Sequence, residues 1–278
     1  MQPTDFSTSR NEILSRHQKS DSDLQNDLII LREWMKKQPH LPVDKLGDGF
    51  LEVQLLKNKF SSNESYSYFY DDYPTAPSKE ASSYIPIPKL TENYERIIIG
   101  KIYNPEKWEL ARDIANGLIL REFLSRYDYN DGEIFVVDYS NCPSSTIFSV
   151  MRANVLADAL AIALKGHSSK IKQLHIISKV LPFLLNLSKP LVPAKLYSRI
   201  FAHESIESFK EKFAPCYLPK DYGGELKSLG EMRVDMDRMY SEHREELIEY
   251  VNTKSCEEKR LLKSNQEMQG TFRNLKID

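Results

Sequence analysis

Four basic residues stand at spacings that could do chemistry in pairs. Lys170 and Lys172 lie two apart and share a face if the chain there is extended, whereas Lys195 and Arg199 lie four apart and share a face if it is helical. Each such residue near an anionic surface contributes about 1 kcal/mol, so four together give reversible docking; the plainer reading is an ordinary solvated basic face. His167, His175 and His203 fall at spacings unlike a metal site, and His175, inside an apolar run, reads as a hydrogen-bonded core or cavity residue. Cys142, Cys216 and Cys256 are odd in number, far apart and without a CxxC pair, so neither a disulfide framework nor a thiolate metal site is expected. Gly223 and Gly224 lack the Lys-Ser/Thr of a phosphate loop and the GxGxxG spacing, and they read instead as a turn needing positive φ. The sequence has no GxSxG elbow, no HExxH and no Cys-His pair in a recognisable context. No catalytic residue, metal or cofactor is therefore expected, and the chemistry left is that of binding.

The elements that must position these residues follow from periodicity. Residues 1–22 form a polar tail. Leu24, Leu28, Leu31 and Met35 then recur at helical spacing until Pro39 and Pro42 end the pattern. A second apolar stretch, Phe50 to Phe60, precedes a tyrosine-rich region with Pro74 and Pro77, which places a boundary near residues 75–83 and a helical unit over 23–83. Beyond it, Arg96 to Ile102 and Glu133 to Tyr139 read as strands, as does Gln173 to Ser178. Between them run helices marked by Trp108, Ala111, Ala115, Leu118 and Phe123, and by Ala153, Leu156, Leu160 and Leu164. Strands separated by long helices imply right-handed crossovers and a mostly parallel sheet, hence an α/β fold over about 84–245. Val180 to Ile200 is too apolar for a surface loop and too broken by Pro182, Pro190 and Pro193 for one helix; short covering helices are expected. Leu229 to Gln266 reads as one charged surface helix, with residues 246–278 its end and a polar tail.

Composition sets the limits. With 278 residues, 41% of them hydrophobic and 28% charged, the chain can bury a sizeable core. Its formal net charge of -2 gives no global attraction to nucleic acid or an anionic bilayer, so any electrostatic docking must be local. No run approaches the roughly 20 apolar residues that span a bilayer, and the polar N-terminus lacks an apolar core, so a cytoplasmic location is expected; a monomer is expected as well.

The order of strands and helices resembles the CRAL-TRIO (Sec14-like) lipid-binding family, and particular words agree. Leu218-Pro219-Lys220-Asp221-Tyr222-Gly223-Gly224 is similar to the family's LPxEYGG signature, and Ile134 to Ser140, Leu174 to Ser178 and Lys195 to His203 follow in the right order. Gly270 to Leu275 resembles the tail of α-tocopherol-transfer-protein-like members common in insects. The N-terminal stretch Leu51 to Phe60 departs from the family's Arg- and Ala-rich pattern.

The resemblance implies a sheet that floors a cavity and an apolar segment that lids it. The floor would include Val137, Tyr139, Leu174 and Ile176, the intervening helix would add Ile147 and Met151, and the lid Leu181, Phe183, Leu184 and Leu187. Phe183, Leu187, Leu191 and Val192 would insert at the membrane interface while the ligand passes, and Lys170, Lys172, Lys195 and Arg199 would meet a phosphoinositide headgroup. The function implied is sequestration and transfer of one hydrophobic lipid of the tocopherol, retinoid, carotenoid or other isoprenoid class, with transient peripheral contact with anionic membranes. Two alternatives stand beside it: Sec14-type exchange of phosphatidylinositol or another phospholipid, and a lipid-gated protein-interaction module.

Overall fold

The computed structural model describes residues 10–58, 81–152, 170–182, 197–251 and 256–259. Three helices come first: α1 (Arg10–Arg16), α2 (Asp21–Lys36) and α3 (Asp48–Asn58). Helix α2 starts where it does because Ser20 and Asp23 form a capping box, each side chain accepting from the other's backbone N–H. The helical repeat Leu24, Leu28, Leu31 and Met35 is buried against Ile13, Leu51 and Val53. Polar contacts tie these helices to later parts of the chain: Tyr129 Oη donates to Glu52 at 2.7 Å, and Gln54 Nε2 donates to the Ser125 carbonyl at 3.0 Å.

A sheet of five strands comes next, in the order β1 (Ser82–Pro86), β2 (Glu95–Ile102), β3 (Gly132–Asp138), β4 (Ile171–Ile177) and β5 (Ile200–His203). Strand β1 runs antiparallel to β2, and every other pair is parallel. Ile97, Ile98 and Ile99 of β2 are all fully buried, as a parallel strand covered on both faces requires. Helices α4 (Leu110–Tyr127) and α5 (Ser144–Arg152) follow β2 and β3. After β5 come α6 (Ile206–Lys210), α7 (Leu229–Glu242) and α8 (Arg244–Val251).

Several sequence expectations need correction. The helix marked from Trp108 begins only at Leu110, and the single C-terminal helix is broken at His243 into α7 and α8, with Met232, Met236 and Met239 buried. Strands β1 and β5 add to the three that periodicity marks. The helix expected over Ala153 to Leu164 lies outside the described residues, as do most of the boundary near 75–83 and residues 183–196 of the covering segment.

One face of the sheet carries a solid core. Ile97, Ile134, Val136 and Ile177 pack there against Phe209, Leu218, Tyr222 and Leu229. The 218–224 turn is fixed to this face by a buried carboxylate, since Tyr222 Oη donates to Asp138 at 2.8 Å and Lys101 Nζ lies 3.4 Å from the same oxygen. Of the two glycines ending that turn, only Gly223 adopts positive φ, at 72°. Gly224 is required for a different reason, because a Cβ there would sit 2.0 Å from the Leu218 carbonyl oxygen.

His175 and His203 complete this core. Both are buried, their rings stack at 5.1 Å, and His175 Nδ1 meets His203 Nε2 at 2.9 Å while its Nε2 meets Gln173 Oε1 at 2.8 Å. Phe201, Phe209 and Phe213 surround His175. Burial first, then the neighbouring His203 and Lys212, pushes His175 down to about 4, and burial with Lys212 also lowers His203.

At the start of the sheet, Arg96 is almost wholly buried. It donates to Asp128 through Nε at 3.0 Å and Nη2 at 2.7 Å, and through Nη1 to the carbonyls of Ile87 at 2.5 Å and Pro88 at 2.7 Å. Asn130 Nδ2 also donates to Asp128, at 2.7 Å. The end of α4, the β1–β2 connection and the entry to β3 are thus held by one guanidinium.

Two outcomes are expected in urea unfolding. Arg96→Met leaves Asp128 buried without its countercharge and lowers the unfolding free energy by about 3–5 kcal/mol; a loss under about 1 kcal/mol contradicts this account. The unfolded imidazole binds a proton near about 6.5 but folded His175 only near about 4, so the unfolded state holds more protons between those values. The stability this pair contributes is complete above that window and is lost as pH falls through it. The midpoint therefore drops less in His175→Gln than in the parent; equal drops would contradict the assignment.

Candidate functional site

The opposite face of the sheet differs in character. Strand alternation and register place Ile98, Phe135, Leu174 and Ile200 in one row across it, and Tyr84, Gly100, Val137, Ile176 and Ala202 in the next. Helix α4 packs Leu120, Phe123 and Leu124 on Ile98 and Phe135, while Ile147 of α5 is buried at 2% exposure. Val137, Leu174 and Ile176 are only part-buried, and among the described residues they belong to none of the packed hydrophobic cores. Among the described residues the face is apolar, continuous and only part-covered.

The sequence-predicted floor residues thus come together. Val137 lies directly opposite Ile176, and Leu174 is one row away, opposite Phe135. Tyr139 follows β3 immediately, its N–H donating to the Ile177 carbonyl at 2.9 Å, and is part-buried. Leu181 is buried just beyond β4, where the Ser178 hydroxyl accepts from the N–H groups of Val180 and Leu181 at 3.3 and 3.4 Å. Met151 falls within α5. Phe183, Leu184, Leu187, Leu191 and Val192 lie outside the described residues.

Of the basic residues, Lys170 and Lys172 are exposed at the entry to β4, and the aliphatic stem of Lys172 lies across Gly132, where a Cβ would meet it at 2.7 Å. Arg199 stands in the turn leading into β5 rather than on a helix, and its Nη1 donates to the Ile171 carbonyl at 3.0 Å. Three of the four cations therefore gather at one end of β4; Lys195 lies outside the described residues.

At the other end of the sheet is a group of residues that periodicity did not single out. Tyr84 lies over Gly100, where a Cβ would meet its ring at 2.6 Å, and against Gly117 of α4 at 3.6 Å. Its hydroxyl donates to Asp113 at 2.9 Å, and Ser82 Oγ donates to the same carboxylate at 2.5 Å. Burial raises the Asp113 carboxyl above its ordinary range, and burial with the Asp113 charge raises Tyr84 further still. The available signal was Gly100 itself, because a glycine inside a β-branched run marks a close approach.

Other chemistries find less support. No group of three or more potential metal ligands occurs among the described residues, and Cys142, Cys216 and Cys256 are free thiols. An open groove of about 570 Å³ follows the outer edge of β5, where Ile200 and Ala202 end the two apolar rows, but Glu204, Glu211 and Lys212 line it as well. No described helix is long and apolar enough to cross a membrane.

Residues 99–224 match the family model of the CRAL/TRIO domain. The match runs from the middle of β2 through β5 to the 218–224 turn, so both faces of the sheet lie largely within it. No curated protein matches the chain.

Proposed function

We propose that this chain is a lipid carrier that receives one hydrophobic lipid against the Val137, Leu174 and Ile176 face and exchanges it at membranes. The observation that carries the reading is that this apolar face, only part-covered among the described residues, lies within the stretch matching the CRAL/TRIO domain. Burying about ten methylenes contributes roughly 8 kcal/mol before ordering costs are subtracted, which is enough to retain a ligand in water without any polar contact. The same ligand leaves readily into a bilayer, where the apolar surroundings are replaced. On this reading the chain is a carrier and not an enzyme, and its ligand is a tocopherol, retinoid, carotenoid or similar isoprenoid.

Membrane contact is the second half of the proposal. Lys170, Lys172 and Arg199 at the entry to β4 meet an anionic phosphoinositide surface transiently, and Lys195 takes part in the same contact. Phe183, Leu187, Leu191 and Val192 enter the interface while the ligand passes. The protein then works in the cytoplasm with brief peripheral association.

Gentle mass spectrometry of the purified chain, followed by organic extraction, is expected to find one apolar lipid per protein. A bound phospholipid would instead favour Sec14-type exchange. An empty chain that takes up no lipid from vesicles would contradict carriage and favour an interaction module. Phe183→Asp with Leu187→Asp should abolish transfer between vesicles; undiminished transfer removes the membrane-insertion step from the account.

A further inference from the structure

The apolar face ends, at the C-terminal edge of β3, in side chains that the burial of hydrocarbon does not use. Tyr139 continues the alternation of β3, so its ring shares a face with Val137. Among the described residues its hydroxyl has no hydrogen-bond partner. The Trp108 ring meets it edge-on, with centroids 6.1 Å apart and planes at 83°. The Trp108 indole Nε1 is buried and has no partner at full hydrogen-bond geometry, although it leans toward the Asp113 carboxylate and favours its charged form. Asp113 already accepts from Ser82 and Tyr84. Two donors are therefore left beside the proposed ligand face, and for the buried indole an unmade hydrogen bond costs about 1–3 kcal/mol.

We propose that Tyr139 Oη and Trp108 Nε1 form a polar subsite that takes the single neutral oxygen of an otherwise apolar lipid. This rests on the carrier reading and narrows its ligand. An acceptor oxygen, whether hydroxyl, carbonyl or ether, satisfies donors that a pure hydrocarbon leaves orphaned. An anionic headgroup fits badly, because the surrounding field is negative. Burial together with the Asp138 and Asp113 charges pushes the Cys142 thiol up to about 11, and burial first, then the Asp113 charge, disfavours ionisation of Tyr139. Lys101 offsets the Asp138 charge from 3.4 Å, but among the described residues Asp113 accepts only from the neutral donors Ser82 and Tyr84, and Lys170 and Lys172 stand at the other end of the sheet, at the entry to β4. The subsite therefore selects against carboxylates and phosphates.

The test uses the full chain and three probes of equal chain length, hexadecane, hexadecan-1-ol and hexadecanoate, each competing against bound diphenylhexatriene. The alcohol is expected to bind about tenfold tighter than the hydrocarbon, the equivalent of one hydrogen bond, and the carboxylate more weakly than the alcohol. Tyr139→Phe should bring the alcohol-to-hydrocarbon ratio close to one, and Trp108→Phe should lower it in part. A ratio unchanged in both variants, or a carboxylate that binds tighter than the alcohol, overturns the subsite while leaving the carrier reading intact. Failure of all three probes to bind overturns both.

Discussion

The hydrogen bond from Tyr222 to Asp138 decides which face of the sheet carries the solid core. Asp138 ends β3 on the same face as Val136, and it is wholly buried. A buried carboxylate there is tolerable only with donors, which the Tyr222 hydroxyl, the Ser140 N–H and the Lys101 ammonium supply. Holding Tyr222 in place holds the 218–224 turn, and with it Phe209, Leu218 and Leu229 against the sheet. Burial raises the Tyr222 hydroxyl strongly and the adjacent Asp138 charge adds to it, so the phenol stays protonated and keeps donating. One face is thereby sealed, and His175 with His203 is sealed into it.

A parallel sheet must be covered on its second face as well. Here α4 covers the rows of β2 and β3 near Ile98 and Phe135, anchored at its end by Arg96 and Asp128 and within its length by the buried Arg121–Glu133 ion pair at 3.2 Å. The apolar rows continue past that cover through Val137, Leu174 and Ile176. Apolar surface of this kind favours an apolar occupant with little demand for directional contacts. Polar groups collect at the two ends of the sheet instead: cations where β4 begins, and the Asp113, Tyr84 and Tyr139 group where β3 ends. That distribution suits a ligand lying along the face with one end distinguishable from the other.

Much of this was legible because it rests on local pattern. The alternation in Glu133 to Tyr139 and Gln173 to Ser178 put Val137 with Tyr139 and Leu174 with Ile176, and the register sets those pairs side by side. Strand β1 was not legible, since Ser82-Ser83-Tyr84 carries little apolar alternation and gains its place only by pairing with β2. The partner of His175 depends on β5 meeting β4 across a long intervening segment, which no local window contains. Gly224 shows a similar limit: its requirement comes from the approach of a carbonyl, not from its own torsions. The break at His243 escaped because the charged repeat runs on without a proline or glycine.

The sequence holds two tryptophans, Trp34 among the N-terminal helices and Trp108 beside Tyr139 at the end of the apolar face. In a Trp34→Phe chain, fluorescence therefore reports from the proposed ligand face alone. Binding of a mid-chain brominated hydrocarbon, a short-range quencher, is predicted to quench Trp108 in proportion to occupancy. Stoichiometric binding that leaves Trp108 emission unchanged would place the lipid elsewhere and contradict the account.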